Sequence, residues 1–436
     1  MSPRRDGALA LAAALLLTSC SSSSIEPARY LFAADDAEHG MELWISDGTE
    51  AGTSLVADLE AGPAGSFPSS VLRAGDLWYF TLGNPAFQIW KTDGTTEGTA
   101  RVVELPRPSR VPDGETAGVE LAMTSGRRLF FTFYDATYGR ELWATTGTEG
   151  STRIVADLTP GAASTPIRSW RMAVFEGRLF FAVEQGSYVS LIRSDGTEAG
   201  TSEIFRFGDD LMPKNVGRTL LLAAPHDLLR TDGTPTGTEL GASINRSRTL
   251  FLDQIAIAGG AAYFPVHSTN GVHHSLWRSD GTAGGTVVVK DFGTAIVPLS
   301  PASHGTRAFF WVSRIVGDGL PAVSELWTSD GTEDGTVPLS PLPEGILAAF
   351  VDTRDHLFFE MWDTVSRPPV YALWASDGTE AGTQLLERFV RLERKENVGG
   401  TLMFLGRAIE PDSDYGLWRS DGTREGTRLI RAFRQP

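Results

Sequence analysis

The chain has 436 residues but only one cysteine, Cys20. This excludes an intrachain disulfide, and beyond Cys20 it excludes a cysteine-based metal site or a cysteine nucleophile. Basic residues are also scarce, because 38 Lys and Arg stand against 54 Asp and Glu, for a formal net charge of −16. Nucleic-acid surfaces need clustered Lys and Arg, so the composition argues against a nucleic-acid partner.

The apolar run over residues 8–17 has about half of the ~20 residues that a membrane-spanning helix needs. Arg4 and Arg5 precede it and Leu17-Thr-Ser-Cys20 follows it, which is the arrangement of an export signal. These last four residues resemble the lipobox of bacterial lipoproteins, and the resemblance implies cleavage before Cys20 and lipid attachment to its thiol. The alternative is a plain signal peptide in which Cys20 is incidental.

Three segments are therefore predicted. Residues 1–19 are a lipoprotein signal peptide, residues 20–28 are the lipidated cysteine with a flexible tether, and residues 29–436 are one folded domain. The chain is expected to be exported and held by its lipid in the bacterial cell envelope, at the outer membrane or the cell surface.

The folded part lacks any sustained 3.6-residue apolar periodicity, which argues against helices. Instead, the motif Trp-x-Ser-Asp-Gly-Thr-x-x-Gly-Thr recurs with substitutions. Successive copies are spaced from 37 residues (Asp195 to Asp232) to 53 residues (Asp93 to Thr146). The nine copies occupy residues 44–53, 90–99, 143–152, 192–201, 229–238, 277–286, 327–336, 374–383 and 418–427. Periods in the forties are typical of propeller blades.

Each repeat predicts about four short strands: a weak one, a Leu-Phe-Phe strand after a Gly, the Leu-Trp strand, and one after Gly-Thr. Four antiparallel strands per unit make a propeller blade. We predict an all-β fold, a single β-propeller of nine four-stranded repeats. Eight blades plus a degenerate unit is the alternative, with the short step between Asp195 and Asp232 marking the defective blade.

The motif is interpreted as a structural turn, because Asp folds onto nearby backbone N–H groups and Gly accepts positive φ. The turn aspartates are Asp47, Asp93, Asp195, Asp232, Asp280, Asp330, Asp377 and Asp421; the third copy has Thr146 there and Ser151 in place of the second Gly. The tryptophan anchors are Trp44, Trp90, Trp143, Trp277, Trp327, Trp374 and Trp418. Calcium binding by these aspartates is a weaker alternative, because each turn offers one carboxylate whereas calcium takes six or more oxygens. No other metal or cofactor is expected.

The segments Glu42-Leu-Trp-Ile-Ser-Asp-Gly-Thr49, Glu141-Leu-Trp143 and Glu325-Leu-Trp-Thr-Ser-Asp-Gly-Thr332 resemble the bacterial ELWxxDGT repeat family. The resemblance covers almost all of the mature chain. It implies an exported, surface-associated repeat protein and carries no catalytic residue with it.

No catalytic constellation is evident. The seven histidines form no metal-binding spacing, and the adjacent pair His273-His274 should point to opposite faces of a strand. Four tryptophans, Trp78, Trp170, Trp311 and Trp362, lie outside the motif. The segments that differ between repeats are residues 106–117, 207–214, 269–274, 315–323, 364–369 and 409–414, and these are the candidate recognition loops.

These observations favour a lipid-anchored envelope propeller that acts as a non-catalytic binding, adhesion or scaffold module. Its partners would be the membrane, through the lipid, and a protein or polysaccharide. The alternative is a glycan-acting hydrolase or lyase with carboxylates at the propeller axis.

Overall fold

The computed structural model describes residues 28–435, except for gaps at 84–85, 109, 113–114, 116, 251, 253, 271, 294–295, 316–320, 342–345, 364–365, 367–368 and 411–412. The predicted signal peptide and all of the predicted tether except Ala28 lie outside the described residues. Within the described part of the chain, no helix has the length and apolar character needed to cross a bilayer.

The chain is all-β and folds as a succession of antiparallel sheets, one for each motif copy. Unit 1 has three strands, β1 (Tyr30–Asp35), β2 (Met41–Ser46) and β3 (Ser54–Ala57). Unit 2 has β4 (Ser69–Ala74), β5 (Leu77–Gly83), β6 (Ala86–Thr92) and β7 (Ala100–Glu104). Unit 3 has β8 (Val119–Ser125), β9 (Arg128–Asp135), β10 (Gly139–Thr145) and β11 (Arg153–Ile154), with the 3-10 helix Glu149–Ser151 in its motif turn.

Units 4 to 6 continue the pattern, and the 3-10 helix Ser169–Arg171 precedes unit 4. Unit 4 has β12 (Met172–Phe175), β13 (Arg178–Gln185), β14 (Tyr188–Ser194) and β15 (Ser202–Phe207). Unit 5 has β16 (Met212–Val216), β17 (Thr219–Ala223), β18 (Asp227–Thr231) and β19 (Glu239–Ser243). In unit 6 the first strand is split into β20 (Arg248–Leu250) and β21 (Ala256–Ala258), followed by β22 (Ala261–Ser268), β23 (His274–Ser279) and β24 (Val287–Gly293).

The last two units share one long strand, which makes their sheets continuous. Unit 7 has β25 (Ile296–His304), β26 (Arg307–Ile315), β27 (Pro321–Ser329) and β28 (Val337–Pro341). Unit 8 has β29 (Ile346–Asp352), β30 (Leu357–Asp363), β31 (Val370–Ser376) and the first half of β32 (Gln384–Val398). Unit 9 has the second half of β32, then β33 (Thr401–Ala408), β34 (Tyr415–Ser420) and β35 (Arg428–Ala432).

The first strand of each unit lies innermost, since it contacts the first strand of the next unit: β4 contacts β8, β12 contacts β16, and β21 contacts β25. The sheets are joined face to face by hydrophobic clusters. In the described residues there are nine such clusters, and each combines residues of two consecutive units. One of them joins unit 9 to unit 1, so the ring closes as the predicted nine-unit β-propeller.

The closing junction places Phe433 between the two ends of the chain. Its ring lies 5.0 Å from Trp44 and 5.6 Å from Phe32, both in unit 1 and both in edge-on geometry. The Arg431 guanidinium covers Trp44 at 4.5 Å, and the backbone N–H of Arg434 donates to the carbonyl of Asp35 at 2.7 Å. Aromatic packing and an isolated antiparallel bridge between Asp35 and Arg434 therefore join the two ends of the chain.

The alternative with a defective fifth blade is wrong. Unit 5 is a complete four-stranded sheet, and the spacing between Asp195 and Asp232 is short because the three strands of unit 5 that precede Asp232 have only five residues each. Instead, unit 1 departs from four strands, with three in the described residues.

The two ends of the ring carry different connections. Because neighbouring strands are antiparallel, the turn between the first and second strands and the motif turn lie at one end of each four-stranded unit, here called the turn face. In unit 1, β1 and β2 pair like the second and third strands of the other units, with Phe32 opposite Trp44, so β1 begins at the turn face. The connection between the second and third strands and the link to the next unit lie at the other end, here called the loop face. Like ends adjoin in neighbouring units: Arg127 pairs with Asp76 across the first turns of units 2 and 3, and the Ser125 hydroxyl donates to Gly177 O of unit 4 at 2.9 Å.

Inside each unit, the Leu-Phe-Phe strand and the Leu-Trp strand predicted from the sequence are direct neighbours. The motif Trp faces the second Phe across the pair, as in Phe131 opposite Trp143 and Phe404 opposite Trp418. These two ring pairs are stacked with centroids 6.4 Å and 6.3 Å apart. In units 4 and 5, which have Ile192 and Leu229 in place of Trp, the pairing is Phe–Ile and Leu–Leu.

We expect Phe433→Ala to destabilise the whole ring by about 3–5 kcal/mol, the usual cost of truncating a buried Phe. The reason is that the side chain fills the junction between the first and last units. Equilibrium denaturation of the purified protein measures the change, and Phe67→Ala, which truncates a side chain that is 61% exposed, is the control. If both variants unfold like the parent, the closing junction contributes nothing.

Candidate functional site

The eight Asp-containing motif turns share one hydrogen-bond pattern. In the first, Asp47 Oδ1 accepts from the Thr49 backbone N–H at 2.9 Å and from its hydroxyl at 2.7 Å. Thr49 Oγ1 in turn accepts from the Gly52 N–H at 2.9 Å, and the Thr53 hydroxyl donates to the Thr49 carbonyl at 2.6 Å. The residues of the motif thus satisfy one another within a single turn.

The second Gly of the motif is needed because the Asp carboxylate leaves no room for a Cβ at that position. A Cβ on Gly52 would overlap the Asp47 carboxylate, and the same holds for the other seven Asp-containing turns. The third copy shows the complementary exchange, since Thr146 replaces Asp and Ser151 replaces Gly. Ser151 Oγ accepts from the Thr148 N–H at 3.2 Å and from the Thr146 N–H at 3.1 Å, so it takes over the role of the missing carboxylate.

The turn chemistry also affects the charge of the aspartates. The hydrogen bond from the neighbouring Thr hydroxyl lowers the pKa of six of them, namely Asp93, Asp195, Asp232, Asp280, Asp330 and Asp377. Their Oδ1 atoms are engaged inside the turns. Within the ranges described, no group of three or more His, Cys, Asp or Glu side chains is arranged to hold a metal ion.

The first residue of the Glu-Leu-Trp signature lies near the loop face and has a role that the sequence does not reveal. Glu42 is fully buried; its Oε1 accepts from the N–H groups of Glu60 (3.1 Å) and Ser66 (2.9 Å), and its Oε2 from the Ser66 hydroxyl (2.7 Å). It therefore clamps the link from unit 1 to unit 2.

Glu141 occupies the same position in unit 3. Its carboxyl accepts from the Thr165 hydroxyl, in the link to unit 4. Burial raises the pKa of Glu141 to about 7. In unit 7, by contrast, Glu325 Oε2 accepts from the Trp327 indole N–H at 3.2 Å. The signature Glu is thus an acceptor in all three units, buried in units 1 and 3, where its donors come from the adjoining link, and partly buried in unit 7, where its donor lies on its own strand.

All six segments that differ between repeats connect strands at the loop face. Residues 106–117 and 207–214 link one unit to the next. Residues 269–274, 315–323, 364–369 and 409–414 each join the second and third strands of a unit. Residues 207–214 are described in full, and the other five segments in part.

Exposed large hydrophobic side chains are also unevenly placed. Among the described residues, five lie at the loop face: Phe67, Trp170, Val272, Trp362 and Ile409. The other four lie at the start of outermost strands, beside the motif turns: Leu240, Val287, Val288 and Val337. Of the four tryptophans outside the motif, Trp170 and Trp362 are 48% and 40% exposed, whereas Trp78 and Trp311 pack into the junctions between units. The five loop-face side chains lie at five separate places around the ring, beside the segments that differ between repeats, which makes this face a candidate interaction surface.

A cavity of about 440 Å³ opens at the loop face between units 1 and 2. The link from unit 1 (Glu60, Ser66) forms one wall, and Gln88, Trp90 and Arg107 of unit 2 belong to the other. Gln88 Oε1 accepts from the Trp90 indole N–H at 3.0 Å, and its amide donates to Glu104 at 3.3 Å. An aromatic side chain beside fixed amide and carboxylate groups is typical of a ligand pocket.

A second polar cluster lies near the axis, where units 4 and 5 begin. The buried Arg171 binds Glu184 at 2.6 Å and Asp210 at 2.8 Å, and its guanidinium packs on the exposed Trp170 at 4.6 Å. Burial raises the pKa of Asp210. Glu184, Asp210 and Tyr188 are among the residues that line a cavity of about 240 Å³. Sequence spacing could not reveal this cluster, because its members come from three separate connections.

The histidines of unit 6 are arranged in part as expected. The His273 side chain is half exposed and lies 3.4 Å from Asp291, while His274 is buried, so the adjacent pair does point to opposite sides. However, His274 packs edge-on against His267 of the neighbouring strand, with ring centroids 4.3 Å apart. Burial lowers the pKa of His267 to about 4, which keeps this imidazole neutral at physiological pH.

The comparisons with known proteins support the fold. No family model and no curated protein matches the sequence. A solved structure described as the eukaryotic initiation factor matches with a TM-score of 0.52 at 10% identity, over 94% of this chain and 96% of that one. An identity this low shows the propeller fold alone.

Several propeller hydrolases and lyases are similar at a lower level. An oligogalacturonate lyase in complex with manganese has a TM-score of 0.44 at 11% identity, over 71% of this chain and 86% of that one. A prolyl endopeptidase has a TM-score of 0.45 at 11% identity over 79% of this chain, which spans 54% of the peptidase.

The third motif turn has Thr and Ser where the first has Asp47 and Gly52, and introducing these two residues into the first turn tests whether the two positions are coupled. We expect Gly52→Ser alone to destabilise the protein by about 1–3 kcal/mol, because overpacking a tight site has that cost. Asp47→Thr combined with Gly52→Ser recreates the pair of the third turn and should recover most of the loss. Denaturant unfolding of the parent, both single variants and the double variant gives the coupling energy. Additive effects would mean that the two positions are independent.

Proposed function

We propose that this chain is an exported, lipid-anchored member of the ELWxxDGT repeat family whose loop face binds a protein or a polysaccharide of the cell envelope without altering it. The observation that carries the proposal is the separation of the two faces. The repeated turns occupy one face, while the differing segments and five exposed hydrophobic side chains occupy the other.

This separation has a physical basis. The motif turns are closed hydrogen-bond units in which each side chain has a partner inside the turn, so their chemistry is occupied by structure. The loop-face connections share no such repeated set of hydrogen bonds, and rigid sheets hold them in place. Binding residues are commonly found on loops that a rigid scaffold positions.

The second candidate function is hydrolysis or lytic cleavage of a glycan. The arrangement of Asp210 and Glu184 around Arg171, close to the axis at the loop face, favours it. Burial raises the pKa of Asp210, against the opposing effect of Arg171, which is the direction that a general acid needs. The exposed Trp170 beside these carboxylates offers a surface on which a sugar ring could stack.

Binding is tested with a soluble form that starts after Cys20, applied to a glycan array and used in pull-downs from envelope extracts. Trp170→Ala with Trp362→Ala should weaken binding at least about tenfold, because buried aromatic contacts dominate most interfaces. The matched control, Leu240→Ala with Val288→Ala, removes exposed hydrophobic side chains from outermost strands and should bind like the parent.

The same experiment separates the two candidates. Retained affinity in the tryptophan variant together with loss in the control would place recognition on the outer strands and overturn the proposal. Release of shortened polysaccharide by the parent but not by Asp210→Asn would favour the enzyme. Circular dichroism establishes that each variant remains folded.

The anchor is tested by Cys20→Ala in the full-length chain. The parent should be recovered in the membrane fraction with the mass of a lipidated protein, and the variant should become soluble, because the thiol is the attachment site. Ser19→Ala, next to it, is the control and should stay membrane-bound. Equal membrane association of parent and Cys20→Ala would exclude the lipid anchor.

A further inference from the structure

The folded chain begins at the turn face. Strand β1 starts there with Tyr30, and the two preceding residues lie against neighbouring turns. The Cβ of Ala28 lies 3.0 Å from the position that a Cβ on Gly399 would take, in the first turn of unit 9. Arg29 Nη1 lies 3.4 Å from the corresponding position on Gly94, in the motif turn of unit 2. The polypeptide therefore enters the ring at its turn face, between units 9 and 2.

The number of residues between this entry point and Cys20 limits where a lipid on Cys20 can go. Eight steps (28 − 20) separate Cys20 from Ala28, and they span at most about 28 Å when fully extended. A path around the rim to the loop face must cross the three strands of unit 1, about 10 Å, and then run along strands of up to six residues, about 20 Å long. The total of roughly 30 Å exceeds the reach even at full extension.

A path along the axis is no more favourable. It would use about 20 Å of the available length to pass six-residue strands such as β1. The remainder of about 8 Å only just crosses the headgroup layer, roughly 5–7 Å thick, and only when all eight steps are fully extended. The turn face is the one that the tether reaches without full extension, so the lipid leaves the ring there.

The side chains of the two faces agree with this arrangement. Among the described residues, five exposed large hydrophobic side chains lie on the loop face, and the other four lie at the rim, where the outermost strands begin beside the motif turns. The motif turns themselves carry none, so attachment would come mainly from the lipid. The apolar side chains of the loop face, which include both exposed tryptophans, would remain available to a partner.

We infer that the anchored ring stands with its turn face towards the membrane and presents its loop face, with Trp170 and Trp362, away from it. The partner surface in this inference is a lipid bilayer facing the motif turns. This orientation rests on the lipidation of Cys20 that the proposed function includes.

The orientation is measurable because the chain has no other cysteine and the Cys20 thiol is consumed by the lipid. New single cysteines at exposed Ala51 and Ala381 report on the turn face, and those at exposed Ala162 and Ser187 report on the loop face. Each lipidated variant is labelled with a fluorophore and reconstituted in vesicles of phosphatidylethanolamine and phosphatidylglycerol that contain a nitroxide headgroup lipid. Ala51→Cys and Ala162→Cys form the matched pair.

We expect the nitroxide to quench the labels at positions 51 and 381 several-fold more than those at 162 and 187. Stronger quenching at 162 and 187, or equal quenching at all four, overturns the orientation. The mass of the purified protein and its flotation with the vesicles are recorded on the same samples. A protein without lipid that fails to float overturns the anchor itself, whereas a floating, lipidated protein with reversed quenching overturns only the orientation.

Discussion

Burial of each sheet between its two neighbours is the interaction on which this structure depends. No sheet can bury both faces alone, and the single cysteine leaves no disulfide to replace a core. Each junction instead gathers apolar side chains from two consecutive units. The first and last sheets would each leave a face in water if the ring stayed open, and hydrophobic burial drives that surface together. Phe433, packed against Trp44 and Phe32, completes the last junction.

At one end of the sheets, the same motif turn can connect the last two strands of every unit. Its Asp, Thr and Gly residues form a closed set of hydrogen bonds, so the turn needs no partner from elsewhere. The third copy shows how tightly the set is coupled. There Ser151 supplies the acceptor that Thr146 cannot, and the Cβ of Ser151 has room only because no carboxylate is present.

The opposite end is where the units differ, and it is stabilised in a different way. Glu42 and Glu141 are buried acceptors that hold the links between units, while Arg171 gathers Glu184 and Asp210 beside Trp170. The two cavities of this face lie at such links. The scaffold thus offers several chemically distinct surfaces on one face, which suits recognition and would also suit an acid-dependent reaction at the cluster around Asp210.

The sequence by itself was sufficient for the repeat number, the strand order within a unit and the turn chemistry. Each of these is encoded within a few tens of residues, in alternating apolar positions and in the Asp-Gly-Thr turn. It was misleading for unit 5, because the spacing between Asp195 and Asp232 counts residues, and a blade with five-residue strands is still complete.

Only the tertiary structure decided which groups meet. His267 and His274 contact each other because their strands are in register, and Arg171 reaches Asp210 because the link into unit 5 returns to the inner rim. The partner of the signature Glu differs between units, since Glu141 accepts from Thr165 of a link and Glu325 accepts from Trp327 of its own strand. The antiparallel path and the closed ring bring all the differing loops to one face. These are long-range consequences of packing, and no local pattern of residues carries them.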